Sequence, residues 1–217
     1  MTVFISRKKN QSADLILALE KEGYSVIANS MIQTETVHFH QPLPQSDWIF
    51  FSSAEGVNHF FKQLDEIPKT KFGAVGTATA ETLNGFVHTD FIGDSSDIPS
   101  TAKKFASLTE NESVLFPISE QSLKNIQAAK DPSLVFNIIC YRTLSQPANI
   151  GSPDVLVFSS PSNVDAFFLL NTLNSSQKCI AFGISTADAL RKYGVENPII
   201  PQSLTTSDLF KTIKSAS

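Results

Sequence analysis

Arginine is scarce in this chain of 217 residues: Arg7, Arg142 and Arg191 are its only three, and acidic side chains outnumber Lys and Arg by 21 to 17, for a net charge of -4. A surface so short of cations does not offer the basic face that a phosphate backbone requires, so no nucleic-acid partner is expected. Cysteine is nearly absent as well. Cys140 and Cys179 lie in separate apolar, strand-like runs, with no second Cys or His at metal-ligand spacing, and read as reduced, buried thiols without a metal. No apolar run approaches the roughly 20 residues of a membrane span. The basic residues near the N-terminus follow a short apolar stretch instead of preceding it, so neither export nor membrane association is expected and the expected location is cytoplasmic. With 9 Gly, 11 Pro, 41% hydrophobic and 18% charged residues, the composition excludes fibrous and disordered classes and suits a globular chain.

Signature motifs of the common catalytic classes are also missing. There is no Gly-x-x-x-x-Gly-Lys-Ser/Thr phosphate loop, no Gly-x-Gly-x-x-Gly fingerprint, no Gly-x-Ser-x-Gly elbow and no metal-spaced His pair. His38 and His40 alternate just before the Gln41–Pro44 break and read as a solvent-exposed connection; His59 and His88 look isolated.

What the chain does have is alternation. Short apolar runs alternate with stretches of helical period, which predicts β-α units and parallel sheets covered by helices. Strands are predicted over Thr2 to Ser6, Tyr24 to Ile32, Trp48 to Ser52, Phe72 to Gly76, Val87 to Gly93, Ser113 to Pro117, Leu134 to Leu144, Asp154 to Ser159, Lys178 to Gly183 and Asn197 to Pro201. These suit two five-stranded sheets. Helices are predicted to begin near Ser12, Ala54, Thr77, Ser100, Gln121, Ser162, Ser185 and Thr206, several with a hydroxyl placed to cap the first turn.

An internal repeat is the most informative feature. WIFFSSAEGVNHFF at Trp48 to Phe61 matches VLVFSSPSNVDAFF at Val155 to Phe168 at an offset of 107 positions, and GTATAETL at Gly76 matches GISTADAL at Gly183 at the same offset. Weaker echoes link VFISR at Val3 with LFPIS at Leu115. The chain therefore reads as a duplicated α/β domain. Each copy holds a strand ending in Phe-Ser-Ser and a Gly-x-x-Thr-Ala turn, both entering helices whose first N–H groups lack partners. In a parallel sheet such turns gather at the carboxyl edge, where free N–H groups and helix dipoles favour anions. Candidate binding residues are thus Ser52, Ser53, Gly76, Thr77, Ala78 and Thr79 in one copy, and Ser159, Ser160, Gly183, Ile184, Ser185 and Thr186 in the other, with Ser119 beside the Leu115 echo. Taken singly, each hydroxyl is an ordinary helix cap; only the doubled pattern raises a ligand-binding reading.

The order of Phe51 to Ser53, Val75 to Ala80, Ile138 to Thr143, Phe158 to Ser162, Ala181 to Leu190 and Pro201 to Leu209 resembles the uroporphyrinogen-III synthase family, over nearly the whole chain from Phe4 onward. The resemblance implies two similar flavodoxin-like α/β domains joined by a two-stranded linker. The chain would cross near Gln33 to Phe39 and Arg142 to Pro147, so that residues 1–35 with 145–217 form one domain, 36–144 the other, and the ligand cleft lies between them. It implies a cofactor-independent reaction in which hydroxymethylbilane loses its terminal hydroxyl, gives an azafulvene that attacks the far ring through a spiro intermediate, and closes with ring D inverted and water released. Tyr141, on the family's Tyr-x-Thr strand, would donate to the departing hydroxyl; a packed strand aromatic is the competing reading of that residue. Arg7 stands where many members carry Arg and would pair with a substrate carboxylate; the Pro that usually follows is Lys8 here. Glu55 replaces a common Asn and is left outside the site as unwelcome near a polyanion. A monomer is expected, with transient contact to the upstream bilane-forming synthase. Two other readings compete: a hinged α/β module that binds a small anionic metabolite without chemistry, and a regulatory domain that kept the fold and lost turnover.

Overall fold

The computed structural model describes residues 1–216. In chain order its elements are β1 (Thr2–Ile5), α1 (Ala13–Lys21), β2 (Ser25–Ala28), β3 (Ile32–Thr36), β4 (Trp48–Phe51), α2 (Ala54–Phe61), β5 (Lys71–Ala74), α3 (Thr77–Asn84), β6 (Phe91–Ile92), α4 (Ile98–Leu108), β7 (Val114–Ser119), β8 (Val135–Ser145), β9 (Val155–Phe158), α5 (Pro161–Phe167), β10 (Lys178–Ala181), α6 (Ile184–Lys192) and α7 (Thr206–Ala216). None of these helices is long and apolar enough to cross a membrane.

The strands form two sheets, of order β10-β9-β1-β2 and β3-β8-β7-β4-β5-β6. Pairing is parallel throughout the first and from β8 to β6 in the second. The chain packs as two compact units, Met1–Gln33 with the residues from Leu144 onward, and Thr34–Thr143. It passes from the first to the second within β3 and returns within β8, and these two strands are hydrogen-bonded neighbours.

Burial explains the sheets. Successive strand residues point to opposite faces, so a strand buried at every position must be covered on both. In β4, Ile49 and Phe51 enter one core with Val57 and Phe60 of α2, while Trp48 and Phe50 enter the other with Phe105 of α4. Phe50 is fully buried and its ring lies 4.5 Å from that of Phe105, a packing whose removal by Phe50→Ala would cost about 3–5 kcal/mol. In the first unit β1 does the same, with Phe4 facing α5 and α6 and Val3 and Ile5 facing α1 and α7.

The repeat is visible element by element. β4 and β9 begin at Trp48 and Val155, α2 and α5 at Ala54 and Pro161, β5 and β10 at Lys71 and Lys178, and α3 and α6 at Thr77 and Ile184, each pair separated by the same 107 positions. The predicted pair of five-stranded sheets is corrected to four and six strands. Two changes account for this. The run from Tyr24 to Ile32 breaks after Ala28, and its second part, β3, joins the other sheet. Asn197 to Pro201 forms no strand: Pro198 and Pro201 lack N–H donors, so only Ile199 pairs, donating to the Cys179 carbonyl and accepting from Ala181 N–H. The helix expected at Gln121 does not form either. Lys124 takes a left-handed φ of 54°, and only short 3-10 turns follow, at Gln127–Ala129 and Pro132–Leu134.

Candidate active site

In the second unit β4 continues to β5 on one side while β7 continues to β8 on the other, so the strand order reverses between β4 and β7. Ligands of open α/β sheets bind at the carboxyl ends flanking such a reversal. There Ser53 is the N-cap of α2, extended at φ -161°, with its Oγ accepting from Gly56 N–H at 3.0 Å. The same Oγ lies 3.0 Å from the Tyr141 hydroxyl. Ser52 is exposed beside it, and Ser119, at the end of β7, stands opposite Tyr141 in register. Gly56 matters for this approach, since a Cβ there would meet Ser53 Oγ at 3.2 Å and Tyr141 Cε1 at 3.8 Å.

The aim of Tyr141 depends on an irregularity in β8. Along this strand Asn137 and Ile139 are exposed, and simple alternation would expose Tyr141 too. The register shifts instead: Ile118 faces Ile139, but Ser119 faces Tyr141, leaving Cys140 as an extra residue. Cys140 and Tyr141 are consequently both buried on consecutive positions. Burial pushes the Tyr141 phenol above its usual 10.0, with the Ser53 and Ser119 hydroxyls drawing it part of the way back. The phenol is therefore a proton donor at neutral pH. When Ser53 donates to the Tyr141 oxygen, the phenolic proton is left for a ligand.

His59 and Glu55, set aside on sequence grounds as isolated and as unwelcome, belong to this cluster. The His59 ring is buried and stacks on Tyr141 at 5.3 Å and 10°, and its nitrogens reach Thr34 and Thr36. Nothing in the i, i+4 spacing of Glu55 and His59 announces this, because their partners lie on β3. His38 and His40 are exposed, as the sequence suggests, and His88 is exposed too.

One strand over, Gly76 caps α3 in an extended conformation, with Thr77 and Ala78 exposed and Thr79 buried. In the first unit the equivalent turns recur. Ser160 at φ -161° accepts from Asn163 N–H, matching Ser53, and Gly183 at φ -177° matches Gly76 at -175°. Ser159 is tied to the end of β1, its N–H donating to Ser6 Oγ at 2.8 Å and its hydroxyl to the Ser6 carbonyl at 2.9 Å. Ser6, not singled out in the sequence, thus joins the two strands at which this sheet's order reverses. Ile184 and Ser185 are exposed at the start of α6 and Thr186 is buried. Gly183 has no atom within 4 Å of where a Cβ would stand, and its extended backbone is open to any residue.

Arg7 directly follows Ser6. Its guanidinium lies 4.6 Å from the Phe182 ring centroid, and burial lowers its pKa from the usual 12.5 without removing its charge. Arg142 pairs with Glu35 at 2.8 Å and Arg191 with Asp188 at 2.6 Å, whereas among the described residues no carboxylate pairs with Arg7. A half-buried cation without a counter-charge is costly in the free protein and suited to an anionic ligand.

Two hollows lie elsewhere. One of about 600 Å³, lined by Asp47, Thr70 and Ser113, faces the residues that precede β4, β5 and β7, at the amino ends of those strands. Among the described residues no three His, Cys, Asp or Glu side chains gather as around a metal ion. Both cysteines are buried, and burial pushes each thiol up to about 12.

Comparison with known proteins gives a consistent outcome. The family model described as uroporphyrinogen-III synthase HemD matches residues 13–211. The uroporphyrinogen-III synthase of Chlorobaculum parvum is 26% identical over 246 aligned positions, covering 99% of this chain and 98% of that protein. In fold, the chain is similar to the uroporphyrinogen-III synthetase crystal structure from Helicobacter pylori, with TM-score 0.72, 14% identity and coverage of 100% and 99%. It is also similar to a mutant uroporphyrinogen III synthase from Thermus thermophilus, with TM-score 0.64, 20% identity and coverage of 100% and 98%.

Proposed function

The chain belongs to the uroporphyrinogen-III synthase family, and from that premise we propose how its own residues serve the family's reaction. It is an enzyme of tetrapyrrole and heme biosynthesis, a cyclising hydro-lyase that closes hydroxymethylbilane with inversion of ring D and loss of water. A binding module or regulatory domain without turnover is not favoured.

The site reading is carried by one observation: the Ser53 and Tyr141 hydroxyls, 3.0 Å apart, stand at the carboxyl edge where the strand order reverses. In the proposed sequence Tyr141 donates its hydrogen bond to the substrate's terminal hydroxyl, easing its departure as water, while Ser53 donates to the phenol oxygen and stabilises the charge that gathers there. The azafulvene and spiro steps follow from the substrate's own reactivity. The protein's larger contribution is to hold the chain ends in the rearranging geometry, since unaided closure gives the unrearranged isomer.

Holding falls to groups suited to carboxylates. Arg7 offers a guanidinium that pairs with no carboxylate among the described residues. The turns at Ser52 and Ser53, Gly76 to Thr79, Ser159 and Ser160, and Gly183 to Thr186, together with Ser119, offer hydroxyls and first-turn N–H groups. Backbone donors of this kind accommodate a polyanion without surplus Lys or Arg, which reconciles the substrate with a net charge of -4. No cofactor is required in this scheme. A cytoplasmic monomer that receives its substrate from the bilane-forming synthase completes the proposal.

Binding of the product, which keeps the carboxylates and lacks the departing hydroxyl, separates the roles. Arg7→Leu is expected to weaken product binding and Tyr141→Phe to leave it unchanged. The opposite pattern would overturn the assignment. Type III isomer formed from hydroxymethylbilane without added cofactor tests the activity itself.

A further inference from the structure

Behind Tyr141 lies a set of polar side chains with no part in the scheme above. His59 is only 7% exposed, and its ring is parallel to that of Tyr141 within 10° at 5.3 Å. Its Nδ1 is 2.8 Å from Thr36 Oγ1, and its Nε2 is 3.0 Å from Thr34 Oγ1. The Thr34 hydroxyl in turn donates to Glu55 Oε2 at 2.9 Å.

Counting protons fixes the tautomer. A hydroxyl has one hydrogen, and Thr34 spends its own on the Glu55 carboxylate, so toward His59 it is an acceptor. Nε2 must then carry the imidazole proton. In the neutral ring Nδ1 is left as an acceptor, and Thr36 supplies the hydrogen. Every polar atom of His59 is satisfied in this single arrangement, and the neutral state agrees with burial, which holds His59 below the usual 6.5.

The charged surroundings leave it so. On α2 Glu55 favours the cation from 3.6 Å, and Lys62, the C-cap of that helix, opposes it. β3 presents only the uncharged Thr34 and Thr36, while Glu35, between them and so on the other face, is paired with Arg142. From β8 the facing titratable group is Tyr141 itself.

A ring locked by two hydrogen bonds is a fixed wall for its stacking partner. We propose that His59, held in one tautomer by Thr34, Thr36 and Glu55, is the positioning residue for Tyr141, fixing the plane of the phenol so that its hydroxyl meets both Ser53 and the departing group. This rests on Tyr141 being the donor. It also gives Glu55 a use that does not require contact with the polyanion: its carboxylate orients Thr34.

Tyr141 then works only if His59 is in place, and His59 works only through Tyr141. The test is a double-mutant cycle on the full-length enzyme with hydroxymethylbilane, using His59→Phe, which keeps a stacked ring without the anchoring bonds, and Thr36→Val, which removes one anchoring proton. Circular dichroism establishes that each variant is folded. Each is expected to lower kcat between about tenfold and 100-fold at unchanged KM, the scale of a misplaced catalytic group. In a Tyr141→Phe background neither should cost anything further. Equal losses in both backgrounds, or unchanged kcat in both single variants, would overturn the inference while leaving Tyr141 as donor. Unchanged kcat in Tyr141→Phe alone would instead remove the donor reading beneath it.

Discussion

Replacing Tyr141 by Phe removes a single oxygen whose surroundings are known in detail. The ring keeps its stack on His59, and Ser53 Oγ keeps the Gly56 N–H that caps α2, so the fold loses only the hydroxyl's own bonds to Ser53 and Ser119. A net hydrogen bond is worth about 1 kcal/mol, so Tm should fall by no more than a few degrees. The rate should respond differently. A positioned general acid contributes typically 10² to 10⁴ in rate, about 3–5 kcal/mol of barrier, and none of this appears in ground-state binding. The expected result is a kcat lowered by at least about 100-fold with KM nearly unchanged. Because burial keeps the phenol above its usual 10.0, it is protonated throughout the neutral range, and the loss should be the same at pH 7 and pH 9. Isomer analysis is the assay: as catalysis slows, spontaneous closure takes over and the product shifts from type III toward type I. A Tyr141→Phe enzyme that keeps its rate, or that loses kcat and product affinity together, would refute the assignment of Tyr141 as donor.

Arg7→Leu should raise KM by roughly tenfold or more, the worth of a charge-assisted bond, while Tm stays level or rises because a half-buried charge with no carboxylate partner among the described residues has been removed; kinetics and thermal melting read the two effects separately. Gly183→Ala should fold as the parent does, since nothing lies within 4 Å of the added Cβ, yet bind product more weakly because the methyl fills the space before α6; Gly76→Ala should instead lower Tm, its Cβ falling 2.9 Å from Ser95 Cβ. Acid should weaken the fold through His59. Its folded pKa lies below the usual 6.5, so the unfolded chain binds a proton first: the associated stability is complete above pH 6.5 and is lost as the pH falls through the folded value. Urea melts between pH 7 and pH 5 should show this slope in the wild type and a shallower one in His59→Phe.

The α/β class was legible because fully apolar strands and hydroxyl-capped helix starts agree along the chain, and because the repeat fixes equivalent strand-to-helix turns such as Ser53 and Ser160. What escaped was set by tertiary pairing. No local signal says that β3 leaves one sheet for the other, nor that Gln121 spends its side chain accepting from Thr143 N–H, which ties it to β8. Tyr141 was named through the family resemblance, but its aim was not legible. Strand alternation would turn it away from α2, and only the one-residue shift at Cys140, a matter of how β7 and β8 pair, brings it to Ser53 and His59. The same shift hid His59, whose partners Thr34 and Thr36 are distant in sequence and adjacent only once β3 is laid against the sheet.

The most direct measurement supplies freshly generated hydroxymethylbilane to the purified protein with no added cofactor, oxidises the products and separates the type III from the type I porphyrin. The account predicts type III in excess, increasing with enzyme concentration at the expense of type I. Folded protein that leaves the spontaneous type I product unchanged would contradict it.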